Sequence, residues 1–205
     1  AAKRYYAEIM MPLRNMAQKN LEKLQGLDAA MIATSHGPIY DRPEFILNAY
    51  RDWMSGPLRN AVVLPFITMH GSTLKMVTHF AECLAARGVA ALPFELLHAD
   101  TGDIAEELVD AATLVLGTPT TLGGPHPAAA NIAYLVNLLK PRLKFISVIG
   151  SYGWGGRSVE MLTEMLSGLK AEALPPVLAK GLPGEADLKA LDDLAGLIAE
   201  KHQSL

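Results

Sequence analysis

The chain has 205 residues, half of them hydrophobic, with 18 basic and 21 acidic side chains and a formal net charge of −3. The charges are interspersed, and the basic stripe that marks a nucleic-acid surface is missing, so we expect no nucleic-acid partner. The apolar runs are shorter than the roughly 20 residues that a membrane-spanning helix needs, so we expect no membrane segment.

Cysteine use indicates the redox compartment. Cys83 is the single cysteine of the chain, so no disulfide can form within it. This pattern fits a reducing environment, and we expect a cytoplasmic protein. The N-terminal residues lack the layout of a secretory signal peptide. The helical pattern around Cys83 predicts a small, buried side chain at that position.

The first 57 residues predict two helices joined by a strand and a turn. Hydrophobic periodicity indicates helices over about residues 3–24 and 43–54. Pro43 suits the first turn of the second helix because the N–H that proline lacks would be unpaired there anyway. The apolar run 29–33 predicts a short strand, and the polar residues 34–38 predict a turn.

The sequence Ser55-Gly56-Pro57 ends the second helix, and we place a domain boundary there, between residues 1–57 and residues 58–205. Beyond the boundary, apolar runs alternate with helical patterns. Strands are predicted over residues 61–67, 89–94, 113–117 and 144–150, with a proline-containing edge strand over 174–179. Helices are predicted around residues 76–84 and over 102–109, 128–139, 158–169 and 185–201. This alternation indicates an α/β fold, a doubly wound, five-stranded parallel sheet covered on both faces.

The loop after the first of these strands has the composition of a phosphate site. It reads Thr68-Met69-His70-Gly71-Ser72-Thr73 and opens directly into a helix. A helix N-terminus presents N–H groups and partial positive charge to an anion, and Gly71 lets the backbone approach closely. The Gly-Lys-Ser/Thr of a triphosphate loop is missing, so Thr68, Ser72 and Thr73 are the expected phosphate donors. An ordinary Ser/Thr helix cap is the alternative for this loop taken alone.

Two further loops at the same sheet edge suit a planar aromatic ring. The loop from Gly117 to Pro127 is too long and polar for a plain connection. The loop from Gly150 to Gly156 is rich in glycines that expose backbone amides, and it carries two aromatic side chains. Phosphate donors in one loop and amide-rich, aromatic walls in two others favour FMN. The expected FMN-binding residues of these two loops are Pro119, Thr120, Thr121, Leu122, Gly123, Ser151, Tyr152, Gly153, Trp154, Gly155 and Gly156, with Trp154 and Tyr152 as the ring contacts.

Other sites at this sheet edge fit the sequence less well than FMN. A dinucleotide fold needs G-x-G-x-x-G after the first strand, where Gly71 stands alone. A phospho-receiver domain needs carboxylates at the ends of the first and third strands, and the residues there include none. The G-x-S-x-G elbow of a hydrolase is also missing from the sequence. FMN is therefore the ligand that the residues favour.

Four motifs, taken in order, resemble the flavodiiron proteins, also called A-type flavoproteins. The motifs are Ala2–Pro12, Ser35–Tyr40, Thr68–Thr73 and Gly150–Gly156, and the resemblance covers essentially the whole chain. It implies a flavodoxin-like FMN domain preceded by a partial metallo-β-lactamase-like segment. In that family, electrons from a rubredoxin-like or other redox protein pass through FMN to a di-iron site that reduces oxygen or nitric oxide. The resemblance also implies a head-to-tail homodimer.

The iron site that the resemblance implies is present here only in part. The family's ligands are an H-x-E-x-D-H-type cluster, a further histidine and an aspartate, and only the last histidine has a counterpart, His36. A di-iron centre needs several histidine and carboxylate ligands around each metal. His36 is therefore interpreted as one metal ligand of an incomplete site. The chain resembles the C-terminal half of a longer protein, in which residues 1–57 end the metallo-β-lactamase-like domain.

Two other functions remain open from the sequence. A free-standing NAD(P)H:quinone reductase of flavodoxin type would accept hydride from a nicotinamide, and NADH alone would bleach its flavin. A stand-alone flavodoxin-type electron carrier would hold FMN without iron and would have no reductase activity of its own. The dependence on a rubredoxin-like donor and the iron content distinguish these alternatives from a flavodiiron reductase.

Overall fold

The computed structural model describes residues 1–24 and 26–205. The strands are β1 (Arg59–Phe66), β2 (Ala90–Glu95), β3 (Ala111–Thr121), β4 (Gly124–Pro125), β5 (Phe145–Tyr152), β6 (Glu172–Ala173) and β7 (Val177–Lys180). The α-helices are α1 (Ala2–Tyr5), α2 (Arg14–Lys23), α3 (Pro43–Ser55), α4 (Ser72–Ala85), α5 (Thr101–Leu108), α6 (Pro127–Leu139), α7 (Ser158–Met165) and α8 (Glu185–His202). None of these described helices is long and apolar enough to cross a membrane.

The sheet has the predicted parallel, doubly wound arrangement. Its order is β2-β1-β3-β5, and β6 and β7 both pair with β5 at the next position. Among the described strands, β4 alone runs antiparallel, folding back on the end of β3. The predicted fifth strand, residues 174–179, is divided in two because Pro175 and Pro176 lack the N–H groups that a continuous ladder needs. Its predicted edge position is confirmed.

The two faces of the sheet carry separate apolar layers. On one face, Leu64 and Val115 belong to a cluster with α4 and α8. On the other face, Val63 and Leu114 belong to a cluster with α5, α6 and α7. Successive residues of a strand point to opposite faces, so each strand contributes to both layers. Burial on both faces explains why these strands are continuous apolar runs in the sequence.

The two helices predicted in residues 1–57 are present, but the predicted strand is wrong. The first is a helical run from Ala2 to Lys23 whose hydrogen bonding changes to π-helical at Tyr6–Met10 and to 3₁₀ at Met11–Leu13. In the run 29–33, Ile32 makes a single bridge to Tyr40. A lone extended segment without a pairing strand leaves its backbone N–H and C=O groups without partners, so a strand does not form there.

Two smaller predictions in the sheet region are also corrected. The helix predicted over 158–169 ends at Met165. Cys83 is half-buried rather than buried, because it lies on the edge of the layer between α4 and α8. Its Sγ lies 3.4 Å from Nε2 of His79. Partial burial raises the pKa of the Cys83 thiol, so the neutral thiol is favoured.

A third apolar cluster joins residues 1–57 to the sheet region. Tyr6 is fully buried in it and packs with Val109, just after α5. Arg4 adds ion pairs to Asp100 at 2.7 Å and to Asp103 at 3.0 Å, at the start of α5. These ion pairs are exposed, so the apolar contact contributes most of the stabilisation. The first helical turn is thus attached to the sheet region rather than projecting from it.

Candidate functional site

A cavity of about 680 Å³ opens at the carboxyl ends of β1, β3 and β5. The three loops identified in the sequence supply most of its lining. The predicted site residues that line it are Thr68, Met69, His70, Ser72, Thr73, Pro119, Thr120, Thr121, Leu122, Ser151, Tyr152, Gly153 and Trp154. These loops meet because the strands before them are neighbours and end at the same edge, while α4 and α6 pack on opposite faces.

The remaining predicted site residues, Gly71, Gly123, Gly155 and Gly156, stand beside the lining and shape the loops. All have positive φ values, which side chains other than glycine rarely adopt. A Cβ on Gly156 would collide with the Thr120 side chain and stand 3.0 Å from the carbonyl oxygen of Gly123. The glycines therefore fix the backbone of the site, and their neighbours provide its surface.

One end of the cavity is the N-terminus of α4. Gly71 is the N-cap residue, with φ of 84°, and no side chain caps the helix. The Gly71 N–H donates to Oγ1 of Thr68 over 3.1 Å, which holds that side chain beside the helix start. The first N–H groups of α4 consequently lack an acceptor from a cap, and the Thr68 hydroxyl hydrogen stays available. The cap residue is thus a glycine, and neither Ser72 nor Thr73 is the N-cap of α4.

The donors at this end of the cavity are neutral. Thr73 is buried, and its Oγ1 lies 3.4 Å from Oγ of Ser151 at the end of β5. Within the described chain the lining includes no lysine or arginine. Lys75, the nearest cation along α4, donates instead to the carbonyl oxygen of Pro183 over 3.1 Å. An anion here would be held by hydroxyls, amides and the helix dipole.

The second wall is a β-hairpin. β3 runs beyond its predicted end to Thr121 and turns back through Leu122 and Gly123 into β4. Leu122 has φ of 50° and a fully exposed side chain. Oγ1 of Thr120 lies 2.8 Å from Oγ of Ser158 at the start of α7, which ties the hairpin to the helix behind it. This wall is therefore regular backbone rather than an irregular loop.

The third wall is aromatic. Trp154 is 90% exposed, in the loop that follows β5. Tyr152 is half-buried, and its carbonyl oxygen accepts from the N–H of Gly181 over 2.8 Å. Both residues line the cavity. Trp154 is too exposed to be part of the apolar core. Exposed large aromatic surface beside a cavity is typical of a ligand or partner contact.

His126, Pro127 and Gly181 also line the cavity, and the sequence analysis did not select them. His126 is the N-cap of α6, where its Nδ1 accepts from the N–H of Ala128 over 3.1 Å. A histidine directly before a proline at a helix start, inside a loop already assigned to the site, was the signal that could have identified it. Gly181 had no such signal, because it follows β7 and reaches the cavity only through the fold.

His36 lies in the other region, away from the cavity at the sheet edge. It lines an apolar groove of about 490 Å³ between the first helical run and α3. The side chain is exposed, and its ring centroid is 6.0 Å from that of Tyr5. Among residues 1–24 and 26–205, no group of three or more His, Cys, Asp or Glu side chains is arranged to hold a metal.

The order β2-β1-β3-β5, with its cavity at the switch point, defines a doubly wound fold of flavodoxin type. The Flavodoxin family profile matches residues 64–193. The chain therefore belongs to the flavodoxin family, and the predicted fold class is confirmed.

Comparison with individual proteins extends the similarity to residues 1–57. The chain is 32% identical over 98% of its length to a nitric oxide reductase of Moorella thermoacetica, of which it covers 51%. It is 30% identical over 97% of its length to the rubredoxin-oxygen oxidoreductase of Megalodesulfovibrio gigas, of which it also covers 51%. The solved structure of rubredoxin oxygen:oxidoreductase from Desulfovibrio gigas superposes with a TM-score of 0.93 at 29% identity, over 98% of this chain and 52% of that one.

These relatives are named oxidoreductases, and the predicted homology to flavodiiron proteins is confirmed. The chain spans about half the length of the curated relatives it matches. The activity of the whole relatives is therefore a matter for proposal in this chain.

Proposed function

We propose that this chain binds one FMN and is the electron-transfer domain of a flavodiiron oxygen or nitric oxide reductase. The observation that supports it best is the convergence, around one cavity, of an uncapped helix N-terminus, neutral hydroxyl donors and an exposed tryptophan. The volume of the cavity lies in the range of small-molecule sites, roughly 300–1,000 Å³. When bound, FMN supplies the redox chemistry, and the protein binds and orients it and sets its potential.

The phosphate is held at the start of α4. Thr68, Ser72 and Thr73 would donate hydroxyl hydrogen bonds to it, and the first N–H groups of the helix would donate beside them. The first turn of α4 has no acidic residue, so the helix dipole is not opposed there. Met69, His70 and Gly71 complete this loop.

The hairpin and the loop after β5 would hold the isoalloxazine ring between them. The hairpin contributes Pro119, Thr120, Thr121, Leu122 and Gly123, and the other loop contributes Ser151, Tyr152, Gly153, Trp154, Gly155 and Gly156. Trp154 is the main stacking face, because its exposed ring gains burial when a planar ligand covers it. An aromatic contact of this kind contributes about 0.5–1.5 kcal/mol beyond the area buried.

The parent protein is longer than this chain. Residues 58–205 are its FMN domain, and residues 1–57 are the end of a metallo-β-lactamase-like di-iron domain in which His36 is one iron ligand. The apolar groove around His36 and the half-length match to the relatives support this division. In a head-to-tail homodimer of the parent, FMN would carry electrons from a rubredoxin-like donor to the irons.

The phosphate assignment is tested with the double variant Thr68→Val and Thr73→Val. Hydrogen bonds to a charged group contribute about 1.5–3 kcal/mol each, so the dissociation constant for FMN should rise by roughly 100-fold or more. Thr78→Val is the matched control, since Thr78 is exposed on the same helix. Fluorescence titration with FMN measures binding, and circular dichroism verifies the fold. If the double variant keeps full flavin content, the phosphate assignment is wrong.

The electron-transfer role is tested by reduction of the FMN-loaded chain under anaerobic conditions. A reduced rubredoxin should bleach the flavin in a stopped-flow experiment, and NADH alone should leave it oxidised. Rapid bleaching by NADH without a partner would identify a quinone reductase instead. The flavin content, the iron content and the intact mass of the purified chain then test whether it is the FMN-containing part of a longer parent protein.

A further inference from the structure

His126 is held in the cavity wall by both its backbone and its side chain. Its N–H donates to Oγ1 of Thr118 over 3.1 Å. Pro125 and Pro127 flank it, and its backbone has φ of −58° and ψ of 139°, the extended conformation favoured before a proline. The backbone of His126 is therefore held in place before any ligand binds.

The hydrogen bond at Nδ1 decides which nitrogen of His126 carries the proton. Nδ1 accepts from the N–H of Ala128 over 3.1 Å, and a nitrogen that accepts has no hydrogen of its own. The neutral imidazole therefore carries its hydrogen on Nε2. Among residues 1–24 and 26–205, Nε2 has no hydrogen-bond partner, and His126 is one of the residues that line the cavity. His126 thus presents one N–H donor to a ligand.

We propose that His126 positions the flavin and favours its reduced form, by donating from Nε2 to an acceptor atom of the isoalloxazine ring. The inference rests on the proposed function, since it needs FMN in this cavity. Reduction adds negative charge to the ring, and a hydrogen bond to a charged acceptor is about twice as strong as one to a neutral acceptor. The described lining has no lysine or arginine. A fixed N–H donor would therefore contribute much of the stabilisation of the negatively charged, reduced ring.

Two substitutions separate the donor from the helix cap. In His126→Asn, the short side chain can still cap α6 through Oδ1, but it loses the distal donor. In His126→Gln, the side-chain amide nitrogen takes a place close to that of Nε2, and the cap is weakened. The first variant therefore removes the proposed contact with little change at the helix, and the second does the reverse.

The midpoint potential of the bound FMN is measured by spectroelectrochemical titration, together with the dissociation constant for oxidised FMN and the thermal midpoint. In His126→Asn, affinity for the reduced flavin should fall roughly tenfold more than affinity for the oxidised flavin, which lowers the potential. Its thermal midpoint should stay near that of the unaltered chain. His126→Gln should retain the potential and lose thermal stability.

Three outcomes distinguish the inference from the proposed function. If the unaltered chain binds no FMN, the proposed function fails. If FMN binds and His126→Asn keeps the original potential, the role of His126 is wrong and the FMN site stands. If both variants lower the potential equally, the effect arises from the helix start rather than from Nε2, and the inference is again overturned.

Discussion

Residues 1–57 and residues 58–205 differ in how they accommodate their apolar side chains. The sheet region buries its side chains in two layers that its own helices cover. In the first 57 residues, large apolar side chains stay exposed at Tyr5, Ile9, Leu13, Met16, Leu24, Leu27, Met31, Ile39 and Phe45. Exposed apolar surface on this scale is typical of a contact with another segment or protein. Helices can therefore form in a region that does not complete its own core.

The cavity at the sheet edge and the groove beside His36 also differ between the two regions. The cavity at the sheet edge combines hydroxyls, backbone amides and aromatic rings, and its shape is set by β1, β3 and β5. The groove beside His36 is almost entirely apolar and lies between helices. A cavity with hydroxyl and amide donors at a rigid sheet edge suits a small ligand, whereas an exposed apolar groove between helices suits a further layer of protein.

The largest expected effect is in the sheet region, with Gly150→Ala. Gly150 pairs with Thr118 across β5 and β3, and a Cβ there would run into the Thr118 carbonyl oxygen. The strands would have to separate, and we expect a loss of more than about 4 kcal/mol in the free energy of unfolding. Gly153→Ala is the control, because nothing lies within 4 Å of its added Cβ. Urea denaturation measures both, and equal midpoints would contradict the close strand approach.

The attachment of residues 1–57 is tested next, with Tyr6→Ala. Tyr6 is fully buried, its ring centroid is 5.6 Å from those of Tyr50 and Trp53, and its removal leaves a cavity. We expect a loss of roughly 3 kcal/mol. Phe45→Ala, at a side chain that is 69% exposed, should change stability by less than about 0.5 kcal/mol. A Tyr6 variant as stable as the Phe45 variant would show that Tyr6 does not pack in the apolar cluster that joins residues 1–57 to the sheet region.

A smaller, pH-dependent effect is expected at His202, where the sheet region also satisfies its buried polar groups. Nε2 lies 2.7 Å from Oγ1 of Thr113, and Nδ1 lies 2.7 Å from Oδ1 of Asn60. Burial lowers the pKa of His202 below its ordinary value of about 6.5, so the unfolded chain binds the proton more readily. Stability from this residue is complete above pH 6.5 and falls as the pH decreases through that value.

Between pH 7.5 and 5.5, this proton uptake should reduce the free energy of unfolding, by no more than about 1.4 kcal/mol for each pH unit below 6.5. His202→Gln removes the titrating group, and its stability should depend less on pH over this window. Denaturation at both pH values measures the difference. The same pH dependence in the variant would assign the effect to other groups.

The smallest expected effect concerns Leu122, at the tip of the hairpin. Its φ of 50° places a branched side chain in the left-handed region, next to Gly123. Leu122→Asn creates the Asn-Gly pair that such tight turns favour, and should stabilise the chain by about 0.5–1 kcal/mol. Thermal denaturation measures the gain. A loss of stability instead would show that the exposed leucine makes a contact that offsets its backbone strain.

Several features could be predicted because they depend on local pattern. The continuous apolar runs of β1, β3 and β5 predicted a parallel sheet, since only strands buried on both faces have that composition. The loop Thr68–Thr73 predicted a helix start because its glycine and hydroxyl residues are adjacent in sequence, and α4 does begin at Ser72. The anion site at that helix start stays a prediction. The strand predicted over 29–33 failed because an apolar run does not show whether a partner strand exists.

The sequence by itself determined the alternation of strands and helices and the position of the three site loops. It also determined that residues 1–57 resemble part of a family of longer proteins. Tertiary structure alone decided that β3 continues into a hairpin, that Pro175 and Pro176 divide the edge strand, and that Gly181 reaches the cavity. The physical reason is that hydrophobic periodicity and turn chemistry act between near neighbours in the chain. Pairing, burial and cavity lining depend on residues that only the folded sheet brings together.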